Sequence, residues 1–163
     1  MTLSQRLYQD LKESQLKKAE LKVSVLRLAL ASLNNKKIEK RIKLSKPVPL
    51  KELELTDEEV IEVLNSEAKK RKEAIISFKQ GQRPALANKE EKELAILEEY
   101  LPKALSEDQL RGMIKEAITA VGASSAADLG KVMSKLMPLI KKRGRADGNL
   151  VDKLVRDLLS QAE

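Results

Sequence analysis

The sequence predicts an all-α protein, and three observations carry that expectation. Aromatic residues make up only 2% of the 163 residues, while Ala, Leu, Lys and Glu dominate, a mixture that favours helices over sheets. Apolar residues recur at every third or fourth position through most of the chain. A Ser or Thr followed three residues later by Glu, Gln or Asp repeatedly precedes such a stretch, which is the signature of a helix start. With 42% apolar residues, the chain can fill two small cores. The expected organisation is an N-terminal four-helix bundle over 1–101 and a C-terminal three-helix domain over 106–163, with a mobile loop at about 44–55.

The first helix starts at once, because Thr2 and Gln5 have capping-box spacing and Leu3, Leu7 and Leu11 repeat every fourth residue. It is expected to end near Lys17. A second helix runs from about Ala19 to Arg41 on the stripe Val23, Leu26, Leu30 and Leu33, with Ala29 and Ala31 allowing close approach. Its basic end, with Lys36, Lys37, Lys40, Arg41 and Lys43, reads as cations complementing a helix C-terminus. The segment Ser45-Lys46-Pro47-Val48-Pro49 cannot continue a helix and marks the mobile loop.

Thr56-Asp57-Glu58-Glu59 restarts the chain with a capping box and an acidic first turn, which the helix dipole favours. Val60, Leu64, Ala68, Ile75 and Phe78 then mark a long third helix ending near Gly81. Arg71 falls on that stripe and reads as a side chain that snorkels or pairs with a carboxylate of a neighbouring helix. Pro84 opens a fourth helix carried by Leu86, Leu94, Leu97 and Leu101. Leu101-Pro102-Lys103-Ala104-Leu105 is the boundary, since Pro102 ends one periodic segment and Ser106 with Gln109 caps the next.

In the C-terminal part, Leu110, Met113, Ile114, Ala117, Ile118 and Val121 follow helical spacing up to Gly122, a C-terminal cap. Ser125 with Asp128 opens a helix that buries Leu129, Val132, Met133, Leu136 and Ile140. Gly130 gives that helix room for close packing and Pro138 kinks it. Asp147 caps the last helix, whose stripe is Leu150, Val151, Leu154, Val155 and Leu158.

One stretch stands apart electrostatically. Between Asp128 and Asp147 lie six basic residues, Lys131, Lys135, Lys141, Lys142, Arg143 and Arg145, and no acid, on a chain of net charge +7. The run closes on Gly144-Arg145-Ala146-Asp147-Gly148, a tight turn where cations and backbone N–H groups suit a phosphate or another anion. The candidate anion-binding set is therefore Lys131, Lys135, Lys141, Lys142, Arg143, Gly144, Arg145 and Gly148. The same residues also have a structural reading, in which Gly144 ends one helix, Asp147 caps the next and the cations complement a helix dipole.

Other chemistries are excluded or unsupported. The absence of Cys and His removes disulfides, thiol and imidazole catalysis and nearly every zinc site. Leu129-Gly130-Lys131 is not a nucleotide-binding loop, because the glycine required five residues before Gly130 is Ser125. No carboxylate pair stands out, so no catalytic residue, metal or cofactor is expected. No apolar run reaches a membrane span and the N-terminus lacks a secretory core, so the expected setting is cytoplasmic, with no membrane partner.

GKVMSKLMP followed by GRADGNLVDKLV, with EAKKRKEAI (Glu67 to Ile75) and ILEEYLPKALSEDQL (Ile96 to Leu110), resembles the motifs of the GatB/YqeY family in order and spacing. The resemblance covers essentially the whole chain, as a stand-alone YqeY-like protein; the Pro- and Lys-rich loop around Leu44 to Leu53 is a departure. It implies an all-helical two-domain fold whose C-terminal unit is similar to the tail domain of the GatB subunit of Asp/Glu-tRNA amidotransferase, a tRNA-contacting appendage. The expected function is a tRNA or structured-RNA binding accessory module. The alternative is an adaptor docking on an amidotransferase or synthetase, and the third is a family-inherited carbon-nitrogen ligase activity with glutamine as amido-N-donor. The resemblance brings no catalytic residue onto this chain.

Overall fold

The computed structural model describes residues 1–45 and 48–161. Among them are seven α-helices and one short 3-10 turn, and no β-strand, so the protein is all-α. Lys46 and Pro47, within the expected mobile loop, lie outside the described residues. The helices pack as two compact units, Met1–Leu101 and Pro102–Glu163.

The first unit contains α1 (Leu3–Leu16), α2 (Glu20–Lys43), α3 (Asp57–Gln80) and α4 (Pro84–Glu98). Thr2 and Thr56 both form complete capping boxes, with Gln5 and Glu59 respectively returning a side chain to the cap N–H. Asp57 Oδ1 accepts the Leu3 N–H at 2.8 Å, which ties the start of α1 to the start of α3 and satisfies one orphan donor. The core comprises Leu7, Leu26, Ala29, Leu30 and Leu33 with Val60, Leu64, Ala68, Leu97 and Tyr100. Several positions differ from the expected stripes: Ala31, expected to allow close approach, is exposed, and Phe78 is only half-buried. On α2, Val25 is buried and Val23 half-buried; on α4, Leu86 is 41% exposed and Ala87 only 2%. The pair α3 and α4 is the most extensive helix contact in the unit, and a close approach takes the small side chain inward.

Most polar groups between these helices are paired, although the Nε of Arg71 is buried without a hydrogen-bond partner. Arg71, on the buried face of α3, binds Glu90 at 2.9 Å and also Glu93, both on α4. Lys40 bridges Glu59 at 2.7 Å and the Glu54 carbonyl at 3.2 Å, so the basic end of α2 meets the acidic first turn of α3. That hydrogen bond, with the Thr56 N–H, holds the Glu59 carboxyl below its ordinary range. Tyr100 is buried and its hydroxyl donates to Asp10 Oδ2 at 2.6 Å, fastening the end of α4 to α1. Leu53 and Leu55, at the far side of the loop, are buried and anchor the chain before α3.

The second unit contains α5 (Glu107–Val121), the 3-10 turn Ala126–Asp128, α6 (Leu129–Arg143) and α7 (Gly148–Ser160). Ser106 and Gln109 form a capping box, and Gly122 ends α5 in the left-handed conformation, φ 65°, where glycine carries no Cβ penalty. Leu110, Ile114, Val132, Leu136, Ile140, Val151, Leu154 and Val155 fill the core. Leu159 is fully buried where Leu158 was expected, and Leu158 is half-buried. Gly130 does not serve close packing: it is exposed, and a Cβ there would meet nothing within 4 Å.

Candidate nucleic-acid interface

The basic run is laid out by α6. Leu129, Val132, Leu136 and Ile140 turn one face of this helix inward, with Val132 and Leu136 fully buried. At 3.6 residues per turn, Lys131, Lys135 and Lys142 fall within about 40° of one another on the opposite face and span about 16 Å along the axis. All three are exposed. Lys131 Nζ lies 3.4 Å from Asp128 Oδ1, whose carboxylate also accepts the Ser124 and Ser125 N–H groups and is held below its ordinary range by them. Among the described residues, Lys135, Lys141, Lys142 and Arg143 have no carboxylate partner.

The other members of the candidate set are placed elsewhere. Lys141 sits about 100° round the helix from the lysine line. Arg143 faces α5, where it lines a groove of about 380 Å³ with Asp108, Gly112, Met113 and Glu116. Those carboxylates disfavour a second anion beside Arg143. Spacing in the sequence groups these cations into one cluster; only the helical azimuth separates them.

The turn after α6 is held by backbone. Leu105 N–H donates to the Arg145 carbonyl at 2.8 Å and Arg145 N–H to the Lys103 carbonyl at 3.1 Å, an isolated parallel bridge. Arg145 is half-buried and its Nε donates to the Pro102 carbonyl at 3.0 Å. Gly144 backs onto the same segment so closely that a Cβ would lie 2.5 Å from the Lys103 carbonyl oxygen. Its φ of 167° is ordinary extended backbone, so glycine is required here for space and not for conformation.

At the start of α7 the carboxylate of Asp147 already accepts the Asn149 and Leu150 N–H groups, at 2.9 and 3.1 Å. A second anion there would meet that negative charge. The geometry therefore favours the lysine side chains of α6 over the backbone amides near Gly148 as anion contacts. Gly148 itself is exposed, with open space around its Cβ position.

Aromatic stacking has little to offer in this chain. Of Tyr8, Phe78 and Tyr100, the last is buried and hydrogen-bonded and Phe78 is half-buried. Among the described residues there is no group of three or more acidic side chains placed to hold a metal ion, and no helix long and apolar enough to cross a membrane.

Two comparisons bear on kinship. A family profile described as Yqey-like protein matches residues 4–159. An uncharacterized protein of Schizosaccharomyces pombe is 42% identical over 69 residues, which cover 42% of this chain and 51% of that protein. The chain thus matches about half the length of this curated relative.

Proposed function

Because the chain belongs to the Yqey-like protein family, we propose that it is a cytoplasmic accessory module that binds tRNA or another structured RNA, kin to the tail domain of the GatB subunit. The observation that carries this reading is the line Lys131, Lys135 and Lys142, exposed on α6 opposite its buried face. Lysines spaced along a rigid rod suit a row of phosphates, and RNA duplexes are recognised mainly through shape, phosphate and 2′-hydroxyl contacts. The scarcity of exposed aromatics disfavours single-stranded bases as the target. Lys141 and Arg143 flank the line, while Gly144 and Arg145 shape the turn that ends it; Gly148 leaves the start of α7 unobstructed. The test is crosslinking of RNA to the protein in cells or lysate, followed by sequencing of the bound species. Enrichment of structured RNA is the expected result, and recovery of no RNA above background overturns the reading.

A second reading, an adaptor docking on an amidotransferase or synthetase, has one observation in its favour. Leu28 is 54% exposed and lines a groove with Gln15 and Val23, and Leu16, which follows Gln15 in the chain, is 85% exposed. Binding through such a face would be largely indifferent to salt, whereas phosphate binding weakens steeply with it. The third reading, a carbon-nitrogen ligase using glutamine, would require the purified chain alone to amidate a substrate.

A further inference from the structure

Pro138 lies inside α6, on its exposed side. Proline has no N–H, so the carbonyl of Ser134 lacks the partner that every interior helical carbonyl otherwise finds four residues on. Helical geometry puts this carbonyl on the outward face, between the azimuths of Ser134 and Pro138 and beside the line of Lys131, Lys135 and Lys142. Ser134 and Pro138 are both exposed, so no neighbouring element covers this stretch of the helix. The result is a hydrogen-bond acceptor set among cationic donors.

That combination discriminates between ligands. Lysine ammonium groups donate and cannot accept, so alone they serve any phosphate backbone alike. An acceptor among them is complementary only to a backbone that also carries a donor. The sugar-phosphate backbone of DNA has none, and that of RNA has one 2′-hydroxyl per nucleotide. We infer that the Ser134 carbonyl, freed by Pro138, accepts a hydrogen bond from a ribose 2′-hydroxyl and makes the lysine face of α6 selective for RNA over DNA. The inference rests on the RNA-binding reading and adds to it a specificity-determining atom.

The test compares the full-length wild-type chain with Pro138→Ala, which restores an N–H to pair with Ser134 and changes no charge. Two probes are used: a short RNA duplex, and the same duplex carrying 2′-fluoro sugars, which keeps the A-form shape and the phosphates but removes the donor. Wild type is expected to prefer the RNA duplex by about fivefold, the size of one neutral hydrogen bond. Pro138→Ala should bind the two probes equally, with its helicity by circular dichroism unchanged or raised. A straightened helix that merely displaced the lysines would alter both affinities together and leave their ratio intact. Binding of both probes with a ratio that Pro138→Ala does not change overturns this inference and leaves the RNA-binding reading standing. If wild type binds neither probe, the underlying reading and the inference fail together.

Discussion

At the scale of single residues, the two glycines that flank the basic turn have opposite demands. A methyl group on Gly144 would press into the Lys103 carbonyl, so Gly144→Ala is expected to destabilise the second unit by about 1–3 kcal/mol, the usual cost of overpacking. Gly148→Ala meets only open space and should stay within about 0.5 kcal/mol of wild type. Urea unfolding of the two variants measures both values, and equal costs would contradict the close approach of the chain at Gly144. A different residue controls the alkaline limb of stability. Burial and the hydrogen bond to Asp10 push the Tyr100 hydroxyl far above its ordinary value of 10.0. The folded state therefore keeps its proton after the unfolded state has lost it, and stability should fall as pH rises above about 10. Tyr100→Phe removes this dependence while leaving Asp10 without its donor. A wild-type protein whose stability is flat from pH 9 to 11, measured by urea midpoint, would contradict the Tyr100–Asp10 bond.

At the scale of elements, the turn between α3 and α4 shows how local signals mislead by one residue. Gly81 invites the left-handed conformation, yet its φ is −78°, and Gln82 takes the positive value of 54°. Gln82→Gly is expected to change stability by no more than about 1 kcal/mol, in the stabilising direction, because relief of the left-handed cost outweighs the gain of freedom in the unfolded chain. Loss of stability in thermal melts would show that the glutamine side chain contributes more than its backbone costs. The helix starts were readable because a capping box is local: Thr2, Thr56, Ser106 and Asp147 all cap where the spacing places them. Core stripes were readable to within one or two positions, as Ala87 for Leu86, Leu159 for Leu158 and Val25 for Val23 show, since a helix can roll slightly without losing its amphipathic face. The role of Gly144 was not readable, because it depends on Lys103, some forty residues earlier in the chain. The division of the basic run follows from helical azimuth once α6 is assigned, whereas the groove that Arg143 shares with α5 was not readable, because its acidic lining comes from another helix.

At the scale of the whole molecule, each unit has its own hydrophobic core, so each should withstand loss of the other. Limited proteolysis is expected to cut first between 44 and 52, ahead of the buried Leu53 and Leu55, and to leave a folded fragment that begins near Pro102. A fragment without helical circular dichroism would contradict the independence of the second unit. The central claim, that the lysine line of α6 binds RNA phosphates, is tested most directly by the salt dependence of affinity for a structured RNA. A steep linear fall of log K with log salt is expected for the wild type. Changing Lys131, Lys135 and Lys142 together to Gln should cost a few kcal/mol of binding at low salt and flatten the slope by roughly one unit per lost contact. Helicity should be retained, because all three side chains are exposed and lie opposite the buried face of Val132, Leu136 and Ile140. A triple variant that binds as tightly as wild type at low salt, with the same slope, would show that these lysines contact no phosphate and are a solvated helix face.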